Sequence, residues 1–229
     1  FSYMEDLSDL NTVNISYTFR TPILGDFDYD DKVTYNDMWD LVENWEAKNF
    51  NYELGPFIGS VPHLISFPDS KFDIEDGMAF VGMWSWYQKT FGEIYEDTLL
   101  VGRALNFFQN RNDIFIIISD STNRGQIQMV YEPGTIPINF ESHSFKGKNL
   151  ILSNHKPEKG FSILEFARSG VIKKDTIKIG INQSHETTLF YDFFGYDNSN
   201  RQKGYMKFNH TPIPEKLLLY PAYPNPFNP

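Results

Sequence analysis

Gly25–Trp39 reads GDFDYDDKVTYNDMW, and four of the six residues from Asp26 to Asp31 are aspartates. Like charges 4 Å apart repel by about 1 kcal/mol even in bulk water. A solvated acidic loop relieves that by spreading out. A loop that folds back on itself needs positive charge among the carboxylates. Directly downstream, Met38, Leu41, Val42 and Trp45 recur at helical spacing. The acidic run therefore ends where a helix begins, and the pairing of loop with helix decides how this region folds.

Counting Asp26 as position 1 puts aspartates at positions 1, 3 and 5 (Asp26, Asp28, Asp30). Lys32 falls at 7, where an EF-hand-type loop offers a backbone carbonyl, and Thr34 at 9, where the ligand often acts through water. Asp37 falls at 12, where a carboxylate closes the sphere. Calcium takes six to eight oxygens, and this spacing supplies them within one turn of chain. Val33 at position 8 is placed to pin the loop to a core. Position 6 is Asp31 rather than glycine, and aspartate enters the left-handed region more readily than most residues.

A shift of 39 positions lays Asp30–Val33 over Asp69–Phe72, Asp37 over Asp76, and Leu41, Val42 and Trp45 over Phe80, Val81 and Trp84. Internal repetition at such a period marks a duplicated supersecondary unit. The tail of the loop and the helix face repeat, whereas the same shift puts Ile65 and Phe67 at positions 1 and 3. Asp69, Asp73, Asp76 and the Lys71 carbonyl are candidate ligands for a second ion. The alternative is a metal-free relic of the first loop.

DFDYDDKVTYND with its helix, and PDSKFDIED with its own, together resemble the dockerin module over roughly residues 24–90. That resemblance implies a small helical domain ordered by calcium, with a cohesin β-sandwich as partner. It implies partner contacts at loop positions 10 and 11, which are Tyr35 and Asn36 in the first copy and Ile74 and Glu75 in the second. The two pairs differ in chemistry, so the two copies are not expected to be interchangeable.

From about residue 98 the pattern changes to short apolar or alternating runs separated by Gly, Asn, Asp, Lys and Pro, among them DIFIIIS, GQIQMVYE, GFSILEFA and TTLFYDFFGY. Strands at this spacing predict an antiparallel β-sandwich, and GQIQMVYEPG and GFSILEFA resemble cohesin strands. The opening DLSDLNTVNISYTFRTP resembles the last strands of a bacterial immunoglobulin-like repeat. The closing LYPAYPNPFNP resembles the start of a type IX secretion sorting domain, which implies a bacterial extracellular or cell-surface location. The expected organisation is multidomain α + β. Residues 1–22 end a preceding immunoglobulin-like domain. Residues 23–95 form the dockerin-like calcium-loop-helix domain, 98–212 the sandwich, and 213–229 a linker into the sorting domain.

The net charge of −10 opposes nucleic-acid binding, which needs the opposite sign. With no cysteine, disulfides and thiolate chemistry are excluded. No apolar run reaches the roughly 20 residues of a membrane span. The five histidines are scattered, and neither a phosphate-binding glycine loop nor a nucleophile elbow appears. The expected function is thus a non-catalytic, calcium-binding assembly or stalk region, with a cohesin-like partner in cis or in trans. The alternative is a carbohydrate-binding accessory region of a secreted glycoside hydrolase, using the aromatics to bind polysaccharide. The short connection near Gly92–Asp97 predicts that the helical unit and the sandwich pack together, through Trp86, Tyr87, Phe91 and Tyr95.

Overall fold

The computed structural model describes residues 21–92, 106–110, 113–119, 121–134, 139–143, 148–169, 174–180, 186–195 and 200–209. The predicted opening strand, the linker after Gly92 with Tyr95, and the closing proline-rich stretch lie outside these residues.

Helix α1 (Tyr35–Ala47) starts at a capping box in which Thr34 and Asp37 satisfy each other's backbone N–H groups. It stops where Lys48 turns left-handed at φ 55°. Helix α2 (Ile74–Phe91) repeats that start with Asp73 and Asp76. The helices begin two residues before Asp37 and Asp76, because their N-caps are Thr34 and Asp73. The segment between them differs from the loop that its Gly, Pro and Ser content predicts. Strands β1 (Phe57–Ser60) and β2 (His63–Ser66) pair as an antiparallel hairpin, with Ile58 opposite Ile65. Val33, Met38, Leu41, Leu54, Ala79, Phe80 and Trp84 form the core of this half.

The remaining strands are β3 (Asn106–Asn110), β4 (Asp113–Ile118), β5 (Thr122–Val130), β6 (Asn139–His143), β7 (Lys148–Lys156), β8 (Phe161–Ser169), β9 (Asp175–Gly180), β10 (Glu186–Gly195) and β11 (Gln202–Asn209). They build two antiparallel sheets, ordered β11-β10-β5-β8-β7 and β3-β4-β9-β6. Ile114, Ile116, Ile177 and Ile179 of the four-stranded sheet meet Ile127, Met129, Leu164, Phe166, Leu189 and Phe193 of the five-stranded sheet. This is a β-sandwich.

Strands β5 and β8 are buried along nearly their whole length, on both faces. The outward face of this sheet lies under the helices: Ala167 of β8 joins the helical core, and Leu150 and Leu152 of β7 pack against it. The described residues thus stack in three layers, helices on the five-stranded sheet and that sheet on the four-stranded one. The predicted packing of helical unit on sandwich is present, but other residues carry it. Tyr87 packs at the edge of the shared core, whereas Phe91 is 50% exposed and meets Trp86 edge-on and Tyr87 at a tilt, both on its own helix. Trp84 makes the contact instead, because its face of α2 points at β8.

Candidate functional site

In the first loop one carboxylate oxygen from each of Asp26, Asp28 and Asp30 lies within 4.8 Å of the others. The loop is wound by its own backbone. Asp26 accepts from Asp30 N at 3.1 Å and Asp31 N at 3.0 Å, Asp28 accepts from Asp30 N, and Asp30 accepts from Lys32 N at 2.9 Å. Asp31 takes φ 68°, the left-handed turn that a glycine would make there. Val33 is fully buried and holds the loop to the core.

Asp37 is also fully buried. It accepts from Phe27 N at 2.7 Å and Thr34 N at 2.9 Å, joining the two ends of the loop. Burial pushes its carboxyl up to about 7, aided by the charges of Asp28 and Asp26. Burial likewise raises Asp26 and Asp30, with like charge adding to it. The donor set suits a hard divalent cation: oxygen only, and three convergent carboxylates whose mutual repulsion a cation would relieve.

The second loop has the same hydrogen-bond frame, built from unexpected residues. Asp76, fully buried, accepts from Leu54 N and Gly55 N at 2.7 Å each and from Asp73 N at 2.8 Å. Phe27, Asp28 and Thr34 make the same three bonds to Asp37. Glu53 accepts from Asp69 N, Ser70 N and Lys71 N, as Asp26 does from Asp30 N and Asp31 N. Ser70 takes φ 65°, matching Asp31. Glu53, Leu54 and Gly55 therefore stand at positions 1 to 3 of the second loop, and the β1–β2 hairpin interrupts it before Asp69. Ile65 and Phe67, which a rigid shift puts at positions 1 and 3, belong instead to the hairpin and its exit. Glu53 was legible only as an acidic residue followed by an apolar one, as in Asp26-Phe27, once an insertion is allowed. Asp69 and Lys71 form an ion pair at 2.8 Å, and Asp73 is the N-cap of α2.

Tyr35 and Asn36 lie against the sandwich. The Tyr35 hydroxyl donates to Asp192 Oδ2 at 3.3 Å, and its ring lies 5.8 Å from that of Phe194. Asn36 Oδ1 accepts from Arg124 Nε at 2.9 Å. The Arg124 guanidinium lies 4.5 Å from the centre of the Trp39 ring and 5.2 Å from that of Phe194. Asp192 also takes a bidentate pair from Arg201. Their counterparts Ile74 and Glu75 are exposed, Ile74 at 73%. Sequence reasoning passed over Arg124, Glu165 and Asp192, because nothing local distinguishes them from solvent-facing strand residues.

No protein-family model matches this chain, and no curated protein does. Among solved structures, the chain is similar to the second type II cohesin module from the cellulosomal adaptor ScaA scaffoldin of Acetivibrio cellulolyticus. Identity is 12%, the match covers 47% of this chain and 95% of that module, and the TM-score is 0.30. Likeness at this level assigns neither ligand nor partner. Among the described residues, no helix is long and apolar enough to cross a membrane.

Proposed function

We propose that this chain is a non-catalytic stalk or assembly region of an extracellular or cell-surface bacterial protein, in which a dockerin-like unit is ordered by calcium and docked in cis on its own β-sandwich. The observation that carries this reading is the engagement of Tyr35 and Asn36 by Asp192 and Arg124. The dockerin resemblance assigns partner contact to those two positions, and a sheet of the same chain occupies them. Asp26, Asp28 and Asp30, with the Lys32 carbonyl and Thr34, are the residues that would hold the ion, while Asp37, expected as the closing ligand, has both oxygens taken by the Phe27, Asp28 and Thr34 N–H groups and would brace the loop from behind. Its chemistry there would be charge neutralisation and cross-linking of the loop.

The polysaccharide-binding alternative has less support. None of the four tryptophans is exposed: Trp84 is buried, and Trp39, Trp45 and Trp86 are half-buried. Thermal unfolding of the intact chain in calcium and in chelator tests the ion, and an unchanged midpoint rejects it. Small-angle scattering tests the docking. A single compact particle is expected, and two lobes with a broad distance distribution would restore a separate cohesin-like partner.

A further inference from the structure

We propose that the second loop needs no metal, because the ammonium of Lys71 serves as its cation, and that the chain therefore holds one calcium, in the first loop. The count of one rests on the calcium reading above, whereas the claim about the second loop does not. Three differences between otherwise matched frames support it.

First, the position-3 carboxylate is missing. Gly55 stands where Asp28 stands, and a Cβ on Gly55 would lie 2.9 Å from Asp76 N and from Glu75 Cβ. The site has neither the ligand nor room for one. Second, Glu53 is committed to the backbone. Its two oxygens accept from three N–H groups, whereas Asp26 takes two and still converges with Asp28 and Asp30. Among the described residues the second loop brings no such triad together. Third, Asp69 Oδ2 is taken by Lys71 Nζ at 2.8 Å. The counterpart of Asp69 is Asp30, which belongs to the first-loop triad.

The hairpin replaces the remaining task of an ion, which is to hold the two halves of the loop together. Phe67 N donates to Pro56 O at 2.7 Å and continues the β1–β2 ladder to the point where the loop resumes. An antiparallel ladder fixes the separation of its ends through backbone bonds. Positions 3 and 5 of the second loop are thus clamped by the sheet, whereas in the first loop only Tyr29 separates them.

The test is calcium stoichiometry together with amide exchange by NMR on the full chain. One ion per chain is expected, lost in Asp28→Ala and retained in Lys71→Met. In chelator the amides of Leu54, Gly55 and Asp73 should stay protected. Lys71→Met should speed their exchange about threefold, the scale of an exposed ion pair, and Lys71→Glu, which adds a carboxylate beside Asp69, by more. Two ions per chain would overturn the proposal. So would second-loop exchange in chelator that is unchanged by Lys71→Glu, or loss of second-loop protection in the wild type on chelation alone. Zero bound ions would reject the first-loop reading and leave the Lys71 measurements, made in chelator, to decide the second loop.

Discussion

Trp84 Nε1 donates to Glu165 Oε2 at 2.6 Å, joining the middle of α2 to the middle of β8. Glu165 is fully buried, and its other oxygen accepts from Gln88 Nε2. Burial pushes its carboxyl up to about 8, against the Trp84 hydrogen bond, which lowers it; the charge of Asp37 adds to the rise. The folded protein therefore keeps this proton at neutral pH, while the unfolded chain, near the ordinary glutamate value, does not. Stability from this group is full below about 4.5 and is lost as pH rises through about 8. Glu165→Gln, with the Gln88 amide turned over to accept, should flatten that slope. Unfolding midpoints at pH 6 and pH 9 check this. The wild type should lose more than the variant on going to pH 9, and parallel losses would refute it.

Calcium should raise the unfolding midpoint in the wild type and leave Asp28→Ala unmoved. Asp28 is exposed, and its carboxylate accepts the exposed Asp30 N, while its bond to Asp37 is made by its backbone, so alanine there tests the ion without damaging the core. A ligand at 100 times its Kd stabilises by about 2.7 kcal/mol, which in a chain of this size is about 5–11 °C. Differential scanning calorimetry with calcium and with chelator reads it.

Arg124→Ala should loosen the helical layer from the sandwich. The side chain is buried between Trp39 and Phe194 and donates to Asn36, so truncation removes two ring contacts and strands an acceptor. A cost of about 2–4 kcal/mol is expected. Arg124→Lys should recover little of it, because an ammonium cannot lie flat between two rings. The check is hydrogen exchange in α1, which should rise while the β4–β9 amides stay protected.

Two glycines near the start of α2 should respond in opposite directions to alanine. At Gly55 the new methyl meets the backbone of Asp76 and the side chain of Glu75, and a loss of about 1–3 kcal/mol is expected. At Gly77, inside α2, a Cβ meets nothing within 4 Å, and alanine should stabilise by about 0.5–1 kcal/mol. Urea midpoints of the two variants decide it.

The elements of this fold were mostly legible in order. Capping residues, helical spacing and the aspartate ladder are local signals, set within one turn of chain, so α1, α2 and the first loop could be read from Asp26 to Trp45 and repeated at Asp69 to Trp84. Short apolar or alternating runs marked the sandwich strands for the same reason, except β3 and β6, whose NFFQN and NFESH carry no such run. What lay beyond the sequence was every relation closed through space. Glu53 completes the second loop across an inserted hairpin, and no fixed shift can find a partner when residues 56–68 intervene. Glu165, Arg124 and Asp192 read as outward strand residues and are buried, because the helical layer covers the sheet face that carries them. Their partners Trp84, Asn36 and Tyr35 lie 81, 88 and 157 positions away. Side-chain period tells which face of a strand a residue occupies; only the packing of a third layer decides whether that face meets water.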